Sequence, residues 1–342
     1  MYVIEQGSFF KDGDTKLISK QVRNLRIDNL NNLSDNLRNL EKDFKEKIEP
    51  YRSDLWRYCY SLTRNPWDAE DLVQDTLLKS FSVIAKLYQP VKTKSYLFKI
   101  ATNLYIDQRR RERIISFSGN EESLKNVPYE GEFQLFENID FLVSNLTPMQ
   151  YVVLILSDAF KYKGKEVAEI IGTTEGAIHT NLSRAREKLR KGEKNETQKV
   201  KTNTKDIAFN KAIEILLEGF RRKDPKLISS ILDENIVTDI THSGIELGSD
   251  ETKKNSLKDW HEIVKNQHII VSEYKMLWGR PVVIELEMKH DNQLYLNNVH
   301  YIETADDKIT YWKFYCFSWD IMRLVAKELK VNLNAEYFYH IF

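Results

Sequence analysis

Cysteine is nearly absent: Cys59 and Cys316 are the only two in 342 residues, each inside an aromatic-rich apolar stretch. That scarcity disfavours a disulfide-stapled secreted scaffold and a cysteine-based metal module, and predicts two buried free thiols in a reducing compartment. Net charge is missing as well, since 51 Lys plus Arg balance 51 Asp plus Glu. Global charge therefore points to no nucleic-acid partner, and any such signal must be local. No run approaches the ~18 apolar residues of a membrane span. The opening "MYVIEQGSFFKDGD" has no basic segment followed by a long apolar one, as an export signal requires. A cytoplasmic protein without membrane contact is expected, and neither a metal nor a cofactor. Internal repeats are also lacking.

What is present is ordinary for a soluble protein, 42% hydrophobic and 30% charged, and the length calls for more than one core. Residues 1–20 have no clear period. From there to 113 the pattern is helical. It opens with a seam of Ile27, Leu30, Leu33, Leu37, Leu40 and Phe44, extended by Ile48, and is interrupted at "TRNPWDAED" and "YQPVKTKS". Residues 114–146 read as a linker, 147–191 as helical again, and 192–206, "GEKNETQKVKTNTKD", as a second, exposed linker. The character then changes. Helices over 207–222 and 225–232 precede strand-like runs at 235–241, 268–278, 281–288, 295–305 and 308–317, with a last helix over 319–329. The fold class is thus multi-domain: two all-α domains, then an α+β domain over 207–342 with a curved antiparallel sheet and helices on one face.

The stretch "GTTEGAIHTNLSRAREKLRK" (172–191) carries the sharpest signal. Ile178, Leu182, Ala185 and Leu189 form one apolar stripe, leaving Gly176, Thr180, Ser183, Arg184 and Glu187 on the opposite face and His179 on a flank. Upstream, "GKEVAEIIG" offers Val167, Ala168 and Ile171 as a buried seam, and Gly172 ends it where positive φ is wanted. Thr173 and Thr174 can cap the next helix, and Glu175 suits its first turn. Helix, glycine turn and polar-faced helix make a helix-turn-helix, whose second helix lies in the major groove. Residues 161–191 carry a net charge of +4 in a neutral chain, fit for phosphate attraction. A solvated basic hairpin is the plainer alternative.

Two further helices have opposite character. "PWDAEDLVQDTLLKSFSVI" (66–84) turns Leu72, Thr76, Leu77 and Phe81 inward and leaves Asp68, Glu70, Asp71, Gln74 and Asp75 outside. Such a face suits a basic protein surface, or simply helix N-terminal electrostatics. "KTKSYLFKIATNLYIDQRRRER" (92–113) interleaves Lys92, Lys94, Lys99, Arg109, Arg110, Arg111 and Arg113 with Tyr96, Phe98 and Tyr105. Cations that track phosphates beside rings that stack on bases fit single-stranded or melting DNA. Phe98 is expected mainly in the core.

Taken together, "RNPWDAEDLVQDTLLKSF", "SYLFKIATNLYIDQRRR" and "LTPMQYVVLILSDAFKYKGKEVAEIIGTTEGAIHTNLSRAREKLRK" resemble regions 2 and 4 of bacterial extracytoplasmic-function (ECF) sigma factors, the promoter-specificity subunits of RNA polymerase. The resemblance implies a region 2 domain over 21–113, a region 4 helix-turn-helix over 147–191, and no catalysis. It implies that Asp68, Glu70, Asp71, Gln74 and Asp75 dock on the β′ clamp helices of core polymerase, with the β flap as a further contact. It also implies that Tyr96, Asn103, Asp107, Arg109 and Arg110 engage the melted −10 element, and that Thr174, Glu175, His179, Thr180, Ser183, Arg184 and Arg186 read the −35 element. The tail resembles the SnoaL-like cone related to nuclear transport factor two through "VVIELEM", "VHYIETADDKITYWKFYCF" and "WDIMRLVAKEL". This likeness implies a regulatory module that takes a small ligand or a separate regulator.

Two other classes remain open on the sequence: a stand-alone helix-turn-helix regulator with a ligand-sensing tail, and a SnoaL-like enzyme using Asp239, His242 and His300.

Overall fold

The computed structural model describes residues 48, 50–84, 93–117, 146–192 and 210–334. The seam from Ile27 to Phe44 and the greater part of both linkers lie outside them. The first module comprises a helix over 50–63 (α1), α2 (Pro66–Ile84) and α3 (Thr93–Phe117). Leu55, Leu62, Val73, Leu97 and Phe98 are fully buried between them, consistent with the helical spacing of these apolar positions. Phe98 stacks on Tyr58 at 4.3 Å, and the Tyr58 hydroxyl lies 2.6 Å from that of Thr102. Helix α3 continues to Phe117, four residues into the stretch read as linker.

The second module starts at Thr147, whose hydroxyl accepts from the Gln150 amide while the Gln150 side chain accepts from the Thr147 amide, a reciprocal cap. Helix α4 (Pro148–Leu154) runs into one π turn (Ile155–Ala159), followed by α5 (Gly164–Ile171) and α6 (Glu175–Gly192). Gly172 has φ 82° and its amide closes on the Ala168 carbonyl at 2.8 Å, so the expected left-handed C-cap is present. The buried seam of α5 is Val167, Ala168 and Ile170, with Ile171 only half-buried; Ile170, three residues after Val167, shares its face.

The two helical modules are packed together rather than held apart. The Tyr151 hydroxyl donates to the Ser61 carbonyl at 2.6 Å, and Phe160 meets Tyr58 and Phe98 edge-on at 5.4 and 5.6 Å. The rings of α1 and α3 need cover, and α4 with its π turn supplies it.

In the tail, α7 (Lys211–Arg222) and α8 (Pro225–Ser229) precede β1 (Leu232–Ile240) and β2 (Gly244–Leu247). After α9 (Ser249–Lys254) and α10 (Ser256–Val264) come β3 (Ile269–Leu277), β4 (Arg280–Met288), β5 (Leu294–Ala305) and β6 (Lys308–Phe314), then α11 (Trp319–Leu329) and β7 (Asn332–Leu333). The sheet order is β2-β1-β6-β5-β4-β3, with β7 beside β5. Its meander is antiparallel, but β1 runs parallel to β6 and β7 parallel to β5. The sheet is therefore mixed, a correction to the antiparallel expectation. The whole meander lies between β1 and β6 in the chain, so no local turn fixes their relative direction.

Leu277 pairs with Arg280 around Trp278 (φ 47°) and Gly279 (φ 80°), a two-residue hairpin whose left-handed pair matches strand twist. Helix α7 lays Ile213, Leu216, Leu217 and Phe220 on the sheet, and Phe220 stacks 5.0 Å from the His300 ring. A Cβ on Gly219 would come within 2.4 Å of the Ile228 side chain, so this position lets α7 and α8 approach closely. Cys59 and Cys316 are both free and buried.

Candidate nucleic-acid and polymerase interfaces

The outward face of α6 matches the reading of its sequence. Gly176, Thr180, Ser183, Arg184 and Glu187 are all exposed, while Ile178 and Ala185 are buried. The Thr174 hydroxyl accepts from the Ala177 amide at 3.2 Å, capping the helix. Glu175 lies 3.6 Å from His179 Nε2, so these two candidates share one edge. Arg186 is turned away from this row. Its guanidinium grips Asp158 of the π turn at 2.6 Å, and the charged hydrogen bond pushes its own pKa upward. The π turn brings Asp158 into line with Arg186, which the sequence pattern did not reveal.

On α3, Asn103, Asp107 and Arg110 are exposed at helical spacing and form one row, with Arg110 3.7 Å from Asp107. Tyr96 is half-buried. Arg109 points elsewhere: Nη1 bonds Glu112 at 3.0 Å and the guanidinium lies 5.5 Å from the centre of the Tyr105 ring. Phe98 is fully buried, as expected, and Tyr105 nearly so.

The acidic face of α2 differs most from its reading. Glu70, expected outside, is 1% exposed. One carboxylate oxygen accepts from Trp56 Nε1 at 2.9 Å and the other meets His242 Nε2 of the tail. Burial, the largest influence, raises this carboxyl, but His242, with Arg52 further off, holds it below its ordinary range. Asp71 is covered by two tail cations, Lys313 Nζ at 3.0 Å and Arg280 Nη2 at 3.4 Å, and Gln74 accepts from the same Lys313 at 3.1 Å. Asp68 is partly buried, and burial raises its carboxyl against the pull of Arg280. Asp75 alone of the five is exposed.

Around these charges the tail hairpin grips the start of α2. Trp67 Nε1 donates to the Leu277 carbonyl at 2.9 Å and Asn65 Nδ2 to the Trp278 carbonyl at 3.1 Å. The Trp67 ring packs against Trp278 and Tyr315 at 5.4 and 5.0 Å. Arg52 of α1 donates to the Phe317 carbonyl at 2.9 Å. Beside it, burial first and Glu70 second push the Asp320 carboxyl up to about 6, against the pull of Arg52, Arg323 and Arg57.

The three polar candidates of the tail do not converge. Asp239 bonds the Tyr311 hydroxyl at 2.8 Å, and Lys313 lies 3.4 Å away. His242 serves Glu70. His300 is fully buried, accepts from Trp312 Nε1 at 3.1 Å, faces Glu285 at 3.5 Å, and is held neutral by burial. A cavity of about 670 Å³ beside the junction is lined by Ile240, Trp260 and Phe314 with Glu246 among its polar groups; none of the three candidates lines it. No described helix is long and apolar enough to cross a membrane.

A helix-turn-helix module, a second helical module with an exposed polar row, and a cone-like α+β tail define a multi-domain transcription-type protein. Comparison with known families is specific. The family model for Sigma-70 region 2 matches residues 48–114, and that for Sigma-70, region 4 matches 136–189, the latter starting inside the first linker as read. An ECF RNA polymerase sigma factor, EcfG of Rhodopseudomonas palustris, is 31% identical over 138 residues, covering 40% of this chain and 76% of that protein. SigG of Mycobacterium tuberculosis, of the same description, is 29% identical over 180 residues, covering 43% of this chain and 48% of its own. The sigma factor RpoE of Bartonella quintana, solved with the anti-sigma factor NepR, is 30% identical with a TM-score of 0.37, covering 45% of this chain and 98% of that one. This chain belongs to the ECF sigma factor family. It spans about half the length of the mycobacterial relative.

Proposed function

We propose that the protein directs core RNA polymerase to a set of promoters, region 2 engaging the melted −10 element and region 4 the −35 element, in the bacterial cytoplasm. The observation that carries this reading is the coexistence of two exposed polar rows in one chain, Thr180, Ser183 and Arg184 on α6 and Asn103, Asp107 and Arg110 on α3. Each row has the donors and cations that base edges and phosphates accept. Arg109 and Arg186 act by holding neighbouring side chains in place. Polymerase docks through the carboxylates of α2, on the β′ clamp helices, with the β flap receiving region 4.

The tail regulates this activity. Lys313, Arg280 and His242 occupy the carboxylates that a basic polymerase surface requires, so tail and polymerase compete for one face. A small ligand or a separate regulator acts by shifting that competition. The protein itself performs no catalytic step. Run-off transcription from promoter libraries with purified core polymerase tests the reading: promoter-specific transcripts are expected, stronger when the tail contact is weakened. No specific transcript under either condition would contradict it.

A further inference from the structure

The tail covers only part of the acidic face. Trp67, Glu70, Asp71 and Gln74 all bond or pack against tail groups. Further along the same helix, Asp75 is exposed and makes no hydrogen bond or ion pair among the described residues, feeling Lys313 only at longer range. Leu78 is 72% exposed, the highest value among the large hydrophobic residues described. Residues 71, 75 and 78 follow one another at helical spacing and share one side of α2. Single exposed leucines are common on proteins; this one continues a row whose covered end already binds cations. The covered end also displays the chemistry the row accepts, cations set beside aromatic rings: the Arg280 guanidinium lies 5.6 Å from the Trp67 ring centre, and Lys313 Nζ 5.6 Å from that of Tyr315.

Resting on the sigma-factor reading, we propose that Asp75 and Leu78 form a landing site where a cationic, apolar-flanked surface of core RNA polymerase binds first, before the β3–β4 hairpin leaves Asp71. A partner that needs the whole face must wait for the tail to open unaided. A partner that can hold the open half couples its own binding energy to the release. Asp75 supplies the charge that attracts it, and Leu78 supplies an apolar contact that no described tail residue covers.

Association of the full-length protein with purified core polymerase, followed by stopped-flow fluorescence, separates the possibilities. Leu78→Ser is made in the parent chain and in Arg280→Glu, where the hairpin is loosened and more of the face is open. Slowing of at least tenfold is expected in the parent background and threefold or less in the loosened one, with Leu78→Met restoring the parental rate. Equal slowing in both backgrounds, or a parental rate for Leu78→Ser, overturns the landing site alone. A parent chain that binds no core polymerase overturns the sigma-factor reading and the landing site together.

Discussion

Lys313 and Asp71, 242 positions apart in the chain, meet at 3.0 Å, with the lysine side chain 8% exposed. The pair joins the last long strand of the tail to the helix that carries the acidic face. Its lysine also reaches Gln74 and Asp239, so one cation serves both sides of the junction.

Arg280→Glu places a carboxylate against Asp71 and Asp68. A hydrogen bond to a charged partner contributes about 1.5–3 kcal/mol. Loss of roughly 2 kcal/mol corresponds to a factor of about thirty in an equilibrium. The apparent affinity for core polymerase should rise by about tenfold or more, measured by equilibrium titration at fixed salt, with the tail still folded by near-ultraviolet dichroism.

Asp320 makes the junction sensitive to pH. Its carboxyl, raised to about 6, holds a proton more tightly when folded. Its contribution to stability is therefore full below the ordinary carboxylate value, declines as pH rises from about 4 to 6, and is gone above that. Glu70, lowered in the folded state, has the opposite sign and loses its contribution only as pH falls into the acid range. Asp320→Asn should raise the melting temperature relative to the parent by a margin that grows from about pH 4 to pH 6 and is level above that, read from melts between pH 4 and pH 7. A constant difference across those pH values would contradict the assignment.

Arg184 and Arg186 should behave differently despite adjacent positions. Arg184 is exposed on the reading face, whereas Arg186 is engaged by Asp158. Arg184→Ala is expected to weaken binding to a −35 duplex by about 1–3 kcal/mol and to reduce the salt slope if a phosphate contact is lost. Asp158→Ala should lower the melting temperature slightly and leave sequence preference unchanged. Fluorescence anisotropy over a salt series measures the binding effects, and a thermal melt the stability change.

Tyr151→Phe removes the hydroxyl that bonds the Ser61 carbonyl across the two helical modules. A loss of about 1 kcal/mol is expected, because a buried acceptor is left without its donor. Denaturant titration monitored by tyrosine and tryptophan fluorescence would show it as a lower midpoint.

Much of this arrangement was legible in the sequence where local rules decide. The four-three-four spacing of Ile178, Leu182, Ala185 and Leu189 fixed the polar face of α6, and Gly172 marked the turn before it. Strands β3 to β6 followed their apolar runs to within a few residues. Contacts between distant segments were hidden. Nothing near Glu70 announces that Trp56 and His242 enclose it, since an acidic residue early in a helix looks the same whether it meets water or imidazole. Asp158 became a partner of Arg186 only through one wider helical turn. The short helix α9 and strand β2 escaped notice because "SDETKK" and "GIEL" offer little periodicity, whereas α10 has Leu257, Trp260 and Val264 at three-four spacing on one buried face, too short a seam to stand out beside the strands that follow.

Trp67, Asn65 and Arg52 all address main-chain oxygens of the tail, those of Leu277, Trp278 and Phe317. Attachment by carbonyls is indifferent to the identity of the residue that carries them and sensitive to where the backbone runs. Changing the side chain at 277 leaves the acceptor in place, whereas adding or removing one residue between Leu277 and Arg280 displaces two acceptors at once. Loop length, more than loop chemistry, sets how firmly the two halves of the molecule are latched.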